Sequence, residues 1–87
     1  MNNEQRLQLI RERLTAALTP SHLDVEDESQ RHAGHAGAET GMGHFAVSIQ
    51  SPLFDGKSPV QCHRLVYDAL GSLMQTEIHA LRISIQK

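Results

Sequence analysis

Histidine is the residue type whose chemistry stands out in this chain. The 87 residues include six histidines but one cysteine. Imidazole is the commonest metal ligand among protein side chains, because its neutral ring binds transition metals near neutral pH. The histidines are His22, His32, His35, His44, His63 and His79. The composition therefore indicates metal binding by imidazole, although each histidine can equally be an ordinary surface residue.

Two of these histidines, His32 and His35, lie in a segment without apolar periodicity. Residues 30–43 contain four glycines, which predicts a mobile loop of about a dozen residues, a length typical of functional or disordered connections. A closed zinc site would need pairs of Cys or His at fixed spacings. His32 and His35 form one such pair, but Cys62 has no partner cysteine, so a zinc site is the weaker alternative.

A second group of candidate residues surrounds the predicted start of a helix. Its members are Lys57, His63 and Arg64. Asp55 and Gly56 predict a turn, Ser58 stands at an N-cap position, and Pro59 suits the first helical position. Backbone N–H groups at a helix start favour a phosphate. The stretch could therefore bind a phosphate or a partner protein, or it could be a well-capped surface helix.

The hydrophobic periodicity predicts the elements that would position these residues. In chain order they are a helix over residues 3–18, strands over 22–29 and 44–50, a helix from residue 59, a short helical turn at 73–76 and a strand over 77–85. The first two strands can pair antiparallel, and the helical crossover between the last two favours parallel pairing. The order α-β-β-α-(α)-β thus predicts an α/β fold, with a three-stranded mixed sheet and helices packed on one face.

Two local patterns predict where side chains lie in this fold. The acidic run from Asp24 to Glu28 belongs to a predicted edge strand and is expected to be a solvated face. Cys62 falls on the apolar face of the second helix with Leu65 and Val66. This position predicts a small buried side chain rather than a nucleophile.

Length and charge limit the classes of function. A chain of 87 residues is expected to form one domain over residues 1–87. Its net charge of −2 gives no overall attraction for nucleic acid. No apolar run could span a membrane, the start is not a signal peptide, and a lone cysteine suits a reducing compartment, so a cytoplasmic location is expected. No Ser-His-Asp ordering, phosphate loop or paired carboxylates indicate an enzyme.

Seven short segments, spread over nearly the whole chain, carry a family resemblance. They are Ser21-His22-Leu23, Val25-Glu26-Asp27-Glu28-Ser29, Arg31-His32-Ala33-Gly34-His35-Ala36-Gly37, His44-Phe45, Phe54-Asp55-Gly56-Lys57-Ser58, His63-Arg64-Leu65-Val66-Tyr67 and Ile78-His79-Ala80-Leu81. Together they resemble the BolA family. The resemblance implies a fold like the class II KH domain. It also implies a heterodimer with a monothiol glutaredoxin, in which the two proteins bind and move a [2Fe–2S] cluster.

The resemblance further implies that the cluster takes ligands from both proteins. It places the family's near-invariant ligand at His79 and the second ligand in the loop after the first strand, where His32 is the best match. His35 could substitute for His32, and His44 and His63 also remain open as ligands. The glutaredoxin would supply a cysteine thiolate and a bound glutathione, which complete the four ligands of a [2Fe–2S] cluster.

Bacterial members of the family are also described as transcriptional regulators tied to cell shape and stress. In this alternative, Lys57, His63 and Arg64 would contact duplex DNA. However, the family commonly has a basic residue where this chain has Cys62, and the chain lacks the Gly-x-x-Gly loop with which KH domains grip nucleic acid. Two or three cationic contacts would give weak, salt-dependent binding. The residues therefore favour the cluster-binding adaptor over the DNA-binding regulator.

Overall fold

The computed structural model describes residues 2–29 and 42–87 and contains the expected order of helices and strands. The elements are α1 (Asn3–Leu18), β1 (His22–Asp27), β2 (Gly43–Gln50), a 3-10 turn (Pro52–Phe54), α2 (Pro59–Leu70), α3 (Leu73–Thr76) and β3 (Ile78–Gln86). The central strand, β2, is antiparallel to β1 and parallel to β3. The three-stranded mixed sheet is thus confirmed. Within the described ranges, no helix combines the length and the apolar character needed to cross a membrane.

The two long helices each begin with a reciprocal pair of cap hydrogen bonds. The Asn2 side chain accepts from the Gln5 N–H, and the Gln5 side chain accepts from the Asn2 N–H. Ser58 and Gln61 repeat this arrangement at α2, where Pro59 is the first helical residue. Such caps satisfy N–H groups that a helix start leaves without partners. The start of α2 therefore lies where the sequence predicts it.

The helices pack on one face of the sheet and bury its apolar side chains. The buried strand residues include Val25, Phe45, Val47 and Ile49, and the buried helix residues include Ile10, Leu14, Leu18, Cys62, Val66, Leu70 and Leu73. Cys62 is fully buried, as predicted. On the opposite face, a shallow depression is lined by residues that include Asp24, Glu26, Ser48, Arg82 and Ser84. The packing of the helices on the sheet fixes the ends of the strands, where candidate site residues lie.

The acidic run at β1 is only partly solvated. Its exposed members are Asp24, Glu26 and Asp27. The strand ends at Asp27, two residues earlier than predicted, and Glu28 is only 7% exposed. The Glu28 carboxylate accepts two hydrogen bonds from Arg82 on β3, at 2.6 and 3.3 Å. The prediction of a solvated face is therefore wrong for Glu28, because its charge is paired with an arginine 54 positions away.

Candidate functional site

His79 lies at the start of β3, where the pairing between β2 and β3 changes register. Gly43 pairs with Ile78. The next residue, His44, pairs with Ala80, so β3 has one residue more than β2 at this point. An extra residue of this kind reorients neighbouring side chains. As a result Ile78 is buried in the core while His79 is exposed, which leaves the predicted ligand accessible to a partner.

His44 is a second histidine at this end of the sheet. It is 6% exposed, and the centroid of its ring lies 5.0 Å from that of His79, with the ring planes tilted by 51°. The sequence leaves His44 open as a ligand, and the structure packs its ring beside His79. Across residues 2–29 and 42–87, no group of three or more His, Cys, Asp or Glu side chains is close enough together to hold a metal ion.

The predicted loop ligand, His32, and its possible substitute, His35, lie outside the described residues. The residues on either side of that loop are placed, however, and two hydrogen bonds join them. The Glu28 N–H donates to the His44 carbonyl at 2.7 Å, and the His44 N–H donates to Ser29 Oγ at 3.1 Å. The chain therefore leaves after residue 29 and returns at residue 42 at the end of the sheet where β3 begins.

The first turn of α1 adds contacts to the same end of the sheet. Arg6 Nε donates to Glu77 Oε1 at 2.9 Å, and the two side chains are 12% and 20% exposed. Arg6 Nη1 donates to Asn3 Oδ1 at 2.8 Å, and Asn3 Nδ2 donates to Ser29 Oγ at 3.1 Å. Glu77 immediately precedes β3, and its carbonyl accepts from the Gly43 N–H at 3.0 Å. These contacts tie α1 to the start of β3.

Two carboxyl groups in this region have lowered pKa values. The hydrogen bond from Arg6 lowers the pKa of Glu77. Burial raises the pKa of Asp27, but hydrogen bonds from Ser29 and Asn3 and the charge of Arg6 outweigh it, so the pKa lies below its usual value. Donors that stabilise a carboxylate act in this direction. The region around His79 is therefore held by charge-assisted hydrogen bonds as well as by apolar packing.

The alternative nucleic-acid site lies at the other end of β3. Lys57 and Arg64 are exposed, and His63 is half-buried. Lys87 Nζ donates to the Lys57 carbonyl at 2.7 Å, which places the start of α2 next to the end of β3. A strand rises about 3.3 Å per residue, so the two candidate sites are separated by roughly 25 Å along β3 (Ile78–Gln86). The structure therefore does not bring them together into one surface.

Sequence reasoning misses the residues that hold the start of β3 in place. They are Asn3, Arg6, Ser29 and Glu77. Their contacts span 26 and 71 positions, and no local motif marks them. The spacing of Asn3 and Arg6, which puts both on one side of α1, is the one signal that suggests a shared role.

Comparison with known proteins decides the family. The family model described as BolA, BolA-like protein, matches residues 14–87. The chain belongs to the BolA family. Among its BolA-family relatives, the DNA-binding transcriptional regulator BolA of Escherichia coli strain K12 is 40% identical over 74 residues, which cover 85% of this chain and 68% of that protein. SufE-like protein 1, chloroplastic/mitochondrial, of Arabidopsis thaliana is 46% identical over 79 residues, which cover 85% of this chain and 21% of that protein.

The BolA fold is confirmed by a solved structure. The BolA domain of SufE1 from Arabidopsis thaliana has a TM-score of 0.80 and 43% identity, with 93% of this chain and 90% of that chain covered. Because this chain spans 21% of SufE-like protein 1, the activity of that whole protein is not assigned to it. That relative's name gives chloroplast and mitochondrion, so a cytoplasmic location stays a prediction for this chain, as does the likeness to class II KH domains.

Proposed function

We propose that this BolA-family chain is an adaptor that binds a monothiol glutaredoxin and shares a [2Fe–2S] cluster with it, in iron–sulfur cluster trafficking or iron regulation. The observation that carries the proposal is the exposed imidazole of His79 at the start of β3. At the same end of the sheet, the chain leaves and returns on either side of the segment that contains His32 and His35. An accessible ligand beside a second ligand-bearing segment suits a cluster completed by two proteins.

The donor set of this chain fits half of such a cluster. A [2Fe–2S] cluster takes four ligands, and imidazole can replace two thiolates on one iron. His79 would supply one nitrogen, and His32, or His35 in its place, would supply the other. Cys62 is the one cysteine of the chain and is fully buried. The two thiolates would therefore come from the glutaredoxin cysteine and its bound glutathione.

Reconstitution of the heterodimer tests the proposal. The chain is mixed with a monothiol glutaredoxin, glutathione, iron and sulfide, and visible circular dichroism follows the cluster. We expect His79→Ala to change the spectrum and shorten the cluster lifetime. His22→Ala is the matched control, because His22 is also exposed but pairs with Gln50 at the opposite end of the sheet. An unchanged spectrum and lifetime in His79→Ala would contradict the proposal.

The same assay identifies the second ligand. His32→Ala is expected to shorten the cluster lifetime more than His35→Ala does, because His32 is the better match to the family's loop ligand. The reverse order would transfer the role to His35. A wild-type lifetime in both single variants and in the double variant would exclude both histidines as ligands.

A DNA-binding regulator is the alternative function. The relative from Escherichia coli is named as one, and Lys57 and Arg64 are exposed beside the capped start of α2, where backbone N–H groups favour phosphate. Such binding would fall steeply with salt. A gel shift of duplex DNA at physiological salt, lost in Lys57→Ala plus Arg64→Ala, would support this alternative. No shift, alongside firm binding to a glutaredoxin, would favour the adaptor.

A further inference from the structure

We propose that Arg6 is a positioning residue for cluster binding, which holds His79 at a fixed distance from both sides of residues 30–41. The inference rests on the function proposed above, because it concerns the geometry of the same site. Arg6 acts through the residues to which it is hydrogen-bonded and does not itself contact the cluster. The residues of this Arg6 network are Asn3, Arg6, Ser29 and Glu77.

Arg6 reaches β3 through an ion pair that is largely shielded from solvent. Its Nε donates to Glu77 Oε1 at 2.9 Å, and the two side chains are 12% and 20% exposed. The Glu77 carbonyl accepts from the Gly43 N–H at 3.0 Å. The ion pair therefore lies next to the register shift between β2 and β3, and His79 follows Glu77 by two residues.

The same guanidinium reaches the two sides of residues 30–41 through Asn3. Arg6 Nη1 donates to Asn3 Oδ1 at 2.8 Å, while Asn3 Nδ2 donates to Ser29 Oγ at 3.1 Å. Ser29 Oγ also accepts from the His44 N–H at 3.1 Å. The hydroxyl group of Ser29, before the segment, thus binds the backbone of His44, after the segment. Arg6 connects that hydroxyl to the start of β3.

This geometry requires an arginine at position 6. A guanidinium presents its donors in a planar fork and can serve two acceptors at fixed angles, whereas a lysine ammonium is a compact charge on a flexible stem. Without Arg6, Glu77 would lose its cation and the Asn3 amide would be free to turn. The start of β3 and Ser29 would then lose their common anchor.

The expected effect is on the lifetime of the cluster rather than on formation of the heterodimer. A precise binding site holds its ligands to within about 0.5 Å of the productive geometry. Removal of a group that is hydrogen-bonded to a metal ligand typically changes metal affinity or activity by about 10–100-fold. Because Arg6 acts through Glu77 and not on His79 directly, we expect an effect at the low end of this range. Loss of the Arg6 network would let the separation between His79 and the two sides of residues 30–41 vary. The cluster would then be held less firmly.

Three substitutions in the reconstituted heterodimer test this inference. At equal folded fraction by far-UV circular dichroism, we expect Arg6→Gln to lose the cluster about tenfold faster than the wild type and to change the visible spectrum. Asn3→Ala breaks the contact with Ser29 but keeps the ion pair, so it should show a smaller change even where Arg6→Gln folds poorly. Arg6→Lys should recover part of the lifetime, because it can pair with Glu77 but lacks the planar fork that also serves Asn3.

Arg13→Gln is the matched control. Arg13 is an exposed arginine of the same helix, but its Nη1 donates to the Leu70 carbonyl of α2 at 3.3 Å and not to a residue of the Arg6 network. We expect its spectrum and cluster lifetime to match the wild type. A loss in Arg13→Gln equal to that in Arg6→Gln would overturn the inference, because the effect would then be one of general stability.

Two further outcomes separate this inference from the proposed function. If the wild-type cluster depends on His79 but Arg6→Gln and Asn3→Ala keep the wild-type spectrum and lifetime, Arg6 is not a positioning residue and the shared cluster stands. If His79→Ala leaves the spectrum unchanged, the proposed function fails and the inference about Arg6 fails with it.

Discussion

The start of α2 and the start of β3 carry the two candidate sites. The hydrogen bonds that stabilise the first region join near neighbours in the sequence, whereas those that stabilise the second join distant residues. At the start of α2, the cap hydrogen bonds join Ser58 and Gln61, three positions apart. At the start of β3, hydrogen bonds join residues 26 and 71 positions apart. The cap of the first region therefore depends on neighbouring residues of one helix. The second forms only when α1, the sheet and the chain beyond β1 have assembled.

A matched pair of glycine substitutions should show the largest contrast between the two regions. A Cβ on Gly43 would clash with the Phe45 ring, which is 1% exposed and cannot move aside, and would lie 3.1 Å from Asn3 Oδ1. We expect Gly43→Ala to lower the free energy of unfolding by about 1–3 kcal/mol, as overpacking does. Because Asn3 is disturbed as well, the cluster lifetime should also fall.

Gly56→Ala is the counterpart at the start of α2. Gly56 has a φ of 74°, and a Cβ there would meet nothing within 4 Å. The cost is therefore limited to the left-handed backbone, about 1 kcal/mol, and the cluster lifetime should stay unchanged. Urea unfolding of both variants, with cluster lifetimes measured in the heterodimer, checks this pair. A shorter lifetime in Gly56→Ala would break the distinction between the two regions.

Removal of the α2 cap should cost stability without changing cluster binding. Ser58→Ala deletes the side-chain acceptor for the Gln61 N–H, and we expect a loss of about 1 kcal/mol in the free energy of unfolding. Ser72→Ala serves as the control, because Ser72 precedes α3 without a side-chain cap hydrogen bond. Denaturant unfolding should therefore give a smaller loss for Ser72→Ala. Equal losses in the two variants would show that the cap contributes nothing measurable.

The smallest expected effect concerns the charge of Asp27. Burial raises the pKa of Asp27, but hydrogen bonds and the charge of Arg6 bring it below its usual value. A carboxyl group with a lowered pKa stabilises the fold above its unfolded pKa of about 4, and this contribution is lost as pH falls through the folded value. Asp27→Asn should therefore slightly flatten the fall of Tm below about pH 4. The change in Tm is small because Asp27 is only slightly buried and most of its side chain is exposed. An acid limb as steep as that of the wild type would contradict this assignment.

The fold can be predicted from the sequence because its signals are local. The start of α2 depends on Ser58 and Pro59, and the inner face of β2 depends on the alternation of Phe45, Val47 and Ile49. Each pattern involves residues within a few positions of one another. The strand pairing then follows from a helix that connects two neighbouring strands.

The candidate site can be predicted only in part. The family resemblance points to His79, but its exposure depends on the register shift opposite Gly43. Simple alternation would place Ile78 on the same face as Ala80, yet Ile78 is buried and Ala80 is exposed. The partner of Arg6 is likewise 71 positions away, beyond the reach of any periodicity. The roles of His32 and His35 stay predictions, because both lie outside the described residues.

Nitrogen hyperfine coupling to the reduced cluster tests most directly whether His79 is a ligand. The heterodimer is reconstituted from this chain, grown with isotope-labelled histidine, and unlabelled glutaredoxin, and is then examined by pulsed electron paramagnetic resonance. We predict coupling to labelled nitrogen that decreases in His79→Ala and is retained in His22→Ala. Absence of coupling to labelled nitrogen in the wild type, or coupling that His79→Ala leaves unchanged, would contradict the assignment of His79 to the shared cluster.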